Sequence, residues 1–162
     1  YSSAFNGDIS KWNVSNVKNM AYMFNYSDFN NDISNWNVGN VTNMLAMFMH
    51  SQFNTDISKW NVSNVTDMAS MFYNSNFNGD ISNWDVSKVE IMHYMFAGSC
   101  FNTDISKWNI SHVQDMSGMF RKSSFNQNIS NWNILHVKNI ADMFDECIIE
   151  NDKQPKYGKT KE

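Results

Sequence analysis

Apolar residues fall on a fixed beat along this chain. Phe stands at 5, 29, 53, 77, 101 and 125, and Trp at 12, 36, 60, 84, 108 and 132, so the period is 24 residues without insertion or deletion in six copies. Other columns keep the same register: Ile9 to Ile129 are all Ile, Val17 to Val137 are all Val, and Met23 and Phe24 recur unchanged to Met143 and Phe144. All 12 Phe lie in two columns, all 6 Trp in one, and 11 of the 12 Met in two. Such a ladder reads as core. A 24-residue unit is too small to bury its own apolar side, and stacked neighbours bury it for one another.

Two rhythms divide the unit. Between Ile9 and Val14 the apolar positions are 9, 12 and 14, and the last two fit the alternation of a strand. From Val17 to Phe24 they are 17, 20, 23 and 24, the stripe of a short helix. Ser15 and Asn16 between them supply turn and N-cap oxygens. The predicted fold is a repeat solenoid whose 24-residue coils each contribute a β/α pair, with a parallel β-sheet on one face. Residues 1–4 read as the end of a preceding repeat, 5–148 as six repeats, and 149–162 as a charged tail or linker. The same pattern predicts one buried column formed by all six Trp.

The apolar skeleton Ile33-x-x-Trp36-x-Val38 has the L-x-x-L-x-L spacing of leucine-rich repeats. "VTNM" at 41–44 and "MF" at 47–48, followed by Ser51, look like the "VTxI…AFxxC" segment of one subclass, and Cys147 takes the subclass Cys position three residues after Phe144. Over 5–148 the chain resembles the BspA-like leucine-rich-repeat surface proteins, in particular their short Asn- and Trp-rich repeats of surface lipoproteins. The resemblance implies leucine-rich-repeat-like coils, display at the cell surface or outside the cell, and adhesion to host, matrix or microbial partners.

Composition narrows the alternatives. Net charge is −4 and 17% of residues are charged, so no field of one sign gathers nucleic acid or membrane. No apolar run approaches the roughly 20 residues of a membrane span. No leader opens the chain, and "YSSAF" suggests a piece of a longer array.

Candidate chemistry is sparse. Asp8, Asp32, Asp56, Asp80 and Asp104, ending in Asn128, form a carboxylate column. It reads either as a line of cation sites or as turn residues, each bonding nearby backbone. His112 and His136 are neighbours across one period, but a zinc site needs about four ligands and two can be named. No Ser/His/Asp trio converges and no phosphate-cradling glycine loop is present, so the expectation is no enzyme, no metal and no cofactor. Cys100 and Cys147 are two coils apart, beyond the roughly 7 Å Cα limit for a disulfide, and are expected to be free and mostly buried.

The outward columns of the expected strand are the candidate binding face. One reads Lys11, Asn35, Lys59, Asn83, Lys107, Asn131 and the next Asn13, Asn37, Asn61, Asp85, Asn109, Asn133. Their amides and ammonium groups suit glycans or polar peptides, or are simply solvated. The columns through Tyr22 and Asn25 vary from copy to copy and are either a recognition surface or unconstrained. Two functions follow: a monomeric, surface-displayed module binding a protein or glycan on a cell or matrix surface, or a structural spacer that self-associates.

Overall fold

A computed structural model describes residues 3–156. The 24-residue coils stack as expected, but they are built from turns. The Ile9 carbonyl accepts the Trp12 N–H at 3.0 Å, and the Val14 carbonyl accepts the Val17 N–H at 2.9 Å. Both turns recur in every later coil. The first occupies the stretch expected as a strand, and the second falls at Ser15 and Asn16 where a turn was expected, so the expected leucine-rich-repeat-like β/α coil with a parallel β-sheet is corrected. Among the described residues no strand forms; consecutive coils share only isolated parallel bridges, one between Ser3 and Ser27 and a series from Asn19 through Asn43, Asp67, Ile91 and Asp115 to Asn139. The reason is local. Apolar steps of three residues, 9 to 12, 14 to 17 and 17 to 20, set inward side chains at the two ends of successive turns. Strand geometry needs steps of two, and only 12 to 14 provides one.

The expected helix is also absent. The only helical element among the described residues is a 3₁₀ turn, Asn151–Lys153. From Met20 to Tyr26 the chain makes overlapping turns, with Met23 N–H bonded to the Met20 carbonyl and Asn25 N–H to the Tyr22 carbonyl. Tyr22 and Tyr26 are left-handed, at φ of 61° and 51°. Those two reversals turn every second N–H out of the coil. Met20, Tyr22, Phe24 and Tyr26 donate to the carbonyls of Asn43, Leu45, Met47 and Met49 in the next coil, at 2.8–2.9 Å. The corners recur at Ala46 and His50, Ser70 and Asn74, Tyr94 and Gly98, Gly118 and Lys122, and Asp142 and Glu146. A left-handed non-glycine residue costs about 1–2 kcal/mol. An inter-coil hydrogen bond contributes about 0.5–1.5 kcal/mol net. With four such bonds and two such corners per coil the opposing contributions are of similar size, and packing inside the coils supplies the margin.

That packing is aromatic. Phe24, Phe48, Phe72, Phe96, Phe120 and Phe144 stack at centroid spacings of 5.5–5.8 Å. The column from Phe5 to Phe125 runs beside it at 6.2–6.4 Å. Neighbouring rings of the two columns meet at 4.0–4.4 Å. Ile, Val and Met columns complete one continuous core. Trp36, Trp60, Trp84, Trp108 and Trp132 are buried, whereas Trp12 is 55% exposed. The single Trp column thus loses its first member, for want of a coil beneath it among the described residues.

Polar ladders hold the stack in register. The indole N–H groups of Trp36, Trp60, Trp84 and Trp108 each donate to an Ile carbonyl 27 residues earlier, at 3.1 Å. Asn6, Asn30, Asn54, Asn78 and Asn102 each accept, through Oδ1, the backbone N–H of the Asn one coil on. The C-terminal segment extends the pattern briefly. Ile149 takes the next place in the Phe5 column and is buried, and Glu150 N–H donates to Asn126 Oδ1. Ile148 is exposed.

Candidate binding surface

The first candidate face contains the twelve residues of the two outward columns. Lys11, Asn35, Lys59, Asn83, Lys107 and Asn131 are all exposed, as are Asn13, Asn37, Asn61, Asp85, Asn109 and Asn133. They share a face, but as turn residues, since the strand beneath them is absent. Lys11 and its equivalents sit inside the Ile9–Trp12 type of turn. The Asn13 column is committed to structure: Asn13 Oδ1 accepts the Ser15 N–H, and Asn37, Asn61, Asp85, Asn109 and Asn133 accept the N–H two residues on. What remains for a partner is the amide N–H groups and the alternating lysines.

The carboxylate column takes the turn role. Each of Asp8, Asp32, Asp56, Asp80 and Asp104 accepts the N–H of the Ser two residues later at 2.8–2.9 Å, and Asn128 does the same with Ser130. The Ser10 backbone N–H, helped by the Ser10 hydroxyl, holds Asp8 below the ordinary carboxylate value; Asp32, Asp56 and Asp104 follow suit, and in Asp80 the Ser82 hydroxyl leads. Among the described residues no three His, Cys, Asp or Glu side chains gather as a metal site. His112 and His136 are engaged separately, with the Ser111 hydroxyl and the Ile110 carbonyl. Cys100 and Cys147 are both free; Cys100 is exposed, against the expectation of burial, and Cys147 is partly buried.

The second face lies at the left-handed corners, where the sequence columns vary. An aromatic line crosses four coils there. Tyr26 stacks on His50 at 4.3 Å, His50 meets Tyr73 edge-on at 5.2 Å, and Tyr73 meets Tyr94 at 6.3 Å and 85°. His93 closes it against Tyr94. Beyond Tyr94 the line meets charge: Arg121 pairs with Asp145 at 2.9 Å and Lys122 with Glu146 at 3.1 Å. Desolvation opposes the Arg121 charge, but the Asp145 carboxylate outweighs it and raises the guanidinium above its ordinary value. A cleft of about 260 Å³ opens between the rings and these cations, lined by Tyr73, Asn74, Tyr94, Ala97, Gly98, Arg121 and Lys122.

Sequence reasoning placed no site here. Its only signal was the variability of two columns, and the left-handed corners that project those columns carry no glycine in most coils. The Asn6 column was missed too, although "FN" opens all six repeats.

No curated protein and no solved structure matches the chain. The resemblance to BspA-like leucine-rich-repeat surface proteins is corrected on two grounds: the sheet it requires is absent among the described residues, and the family profile that does match is a different one. That profile, described as "Mycoplasma protein of unknown function, DUF285", fits residues 1–75 and 49–157, and the chain belongs to this family.

Proposed function

We propose that this array is a non-enzymatic binding module, displayed at the cell surface or outside the cell, that recognises a protein or glycan partner on a host, matrix or microbial surface. The observation that carries the reading is a division of labour between columns. Residues that repeat in every coil are spent on the core, on turn bonds and on inter-coil ladders. The left-handed corners change identity from coil to coil, and they gather Tyr26, His50, Tyr73 and Tyr94 into one line at the surface. Tyr supplies a large, stiff contact area with a polar tip, which favours recognition. A merely solvated corner needs no run of rings.

Screening the folded chain against arrayed glycans and immobilised matrix proteins, beside a Tyr26→Ala/Tyr73→Ala variant, tests the proposal. Expected is a saturable interaction that the variant weakens at least tenfold. Absence of any interaction leaves the spacer reading in its place. Protease treatment of intact cells tests display: the array should be cleaved without lysis.

A further inference from the structure

The cleft at coils three to five is the one place on the aromatic line shaped by residues that no other coil shares. Its left-handed corners are Asn74, Tyr94, Gly98 and Lys122, and Gly118 sits against Tyr94; Gly98 and Gly118 are the only glycines among the twelve corner positions described. A Cβ on Gly98 would lie 1.7 Å from Asn74 Oδ1, so glycine there lets the Asn74 amide lie across the backbone. A Cβ on Gly118 would lie 2.3 Å from Tyr94 Cε1, so glycine there lets the Tyr94 ring settle onto the next coil. Left-handed geometry alone does not demand these glycines. Ala46, Ser70 and Asn74 occupy the same corners at φ of 51°, 54° and 49°. The close approach of Asn74 and Tyr94 does demand them.

We infer that this cleft binds a neutral saccharide, one sugar ring lying against Tyr73 and Tyr94 with its hydroxyls meeting Asn74, Arg121 and Lys122. The inference rests on the binding-module reading above. Three features select the ligand class. Two rings at 85° form an apolar corner suited to the C–H face of a pyranose. Around that corner stand an amide that both donates and accepts and two cationic side chains that donate, the few convergent polar groups that orient a small ligand. The cations are balanced, since Asp145 and Glu146 each neutralise one. With both cations already paired and Asp142 adding further negative charge near Arg121, the cleft offers a free anion no unpaired cation, and selection falls to ring stacking and hydrogen bonds.

The test uses substitutions that the repeat itself provides. Tyr73→Ala installs the residue of Ala97, and Tyr94→Ser that of Ser70, so each variant carries a side chain already accommodated at that position of the repeat. Gly98→Asn copies Asn74 and fills the cleft. The probes are immobilised neutral hexose and N-acetylhexosamine oligosaccharides, their sialylated and uronate-bearing counterparts, and matrix proteins. Circular dichroism and melting of each variant serve as the folding control.

Expected is binding to one or more neutral glycans that Tyr73→Ala, Tyr94→Ser and Gly98→Asn each weaken at least tenfold, and that Lys18→Ala, an exposed first-coil residue in neither candidate face, leaves unchanged. Neutral-glycan binding that survives the three variants overturns the cleft and leaves the binding-module reading standing. Binding confined to acidic glycans, or to matrix proteins, overturns the neutral-saccharide class and again spares that reading. Binding to none of the probes overturns both.

Discussion

The first coil and the fourth carry nearly the same sequence, and they do not have the same structure around them. Trp84 is 4% exposed and its indole N–H donates to the Ile57 carbonyl at 3.1 Å. Trp12, in the same column, is half in solvent, with Trp36 stacked on one side at 6.5 Å. Phe5 is 50% exposed where Phe77 is fully buried. The difference teaches that the unit does not hold its own core. Burial belongs to the interface between coils, so a residue's contribution depends on how many interfaces it serves.

The sharpest way to break the comparison is to remove both Trp residues in turn. Trp84→Ala takes away a fully packed aromatic and leaves the Ile57 carbonyl with the Trp60 backbone N–H but without the indole donor, for a loss of about 3–5 kcal/mol. Trp12→Ala removes a ring packed on one side, for a loss of about 1 kcal/mol. Denaturant titration of both variants measures the gap. Equal losses would mean that the first coil is held as firmly as the fourth, and the nearest-neighbour account would fall.

The Asn ladder sharpens the same contrast at lower amplitude. Asn78 Oδ1 accepts the Asn102 N–H at 2.8 Å while its own N–H reaches Asn54 Oδ1 at 2.9 Å. Asn78→Ala deletes the inter-coil bond from Asn102 and a weak 3.5 Å one from the Thr103 hydroxyl in the middle of the stack, for about 0.5–1.5 kcal/mol. Asn6→Ala deletes the matching bond to Asn30, but only at the boundary of the first coil. That coil can loosen without disturbing the other five, so its loss should be smaller in the same titration. A larger loss for Asn6→Ala would make the first interface the keystone of the stack.

The period and the core columns were legible in the sequence, because each needs only counting, and the turn role of the Asp column was one of the two readings its side-chain chemistry allowed. The path of the backbone was not. Apolar steps of three and four residues describe a helix and a chain of turns equally well, and only the left-handed corners separate them. Glycine would have announced those corners. Instead they carry Tyr22, Tyr26, Ala46 and His50, which give no such signal and are held there by the core beneath and the coil above. The strand reading failed for a related reason: Asp8 and Asn13 spend their oxygens on N–H groups two residues ahead, which closes turns where a ladder was expected. The aromatic line was illegible for a third reason, since Tyr26, His50, Tyr73 and Tyr94 come from three different columns that only the folded corners bring together.

The smallest effect concerns the one feature that should ignore position. Asp8 in the exposed first coil and Asp56 in the third make the same local bond, at 2.9 and 2.8 Å, to the Ser two residues on. Both carboxyls are lowered from the ordinary 3.8, the Ser backbone N–H being the leading cause. A lowered folded pKa means that the carboxylate's contribution is complete above the ordinary value and is lost as pH falls through it toward the folded one. Thermal melts should therefore show an acid-induced loss of stability that begins near pH 4. Asp8→Asn and Asp56→Asn should each remove a similar part of that loss, because Asn keeps the turn bond without a titrating group, as Asn128 does. Equal effects at these two positions, beside unequal effects at Trp12 and Trp84, would separate what a coil does for itself from what its neighbours do for it. A larger acid shift at Asp56 would instead couple the turn column to the stack, most directly through the neighbouring carboxylates that Asp32 already feels from Asp56 and Asp8.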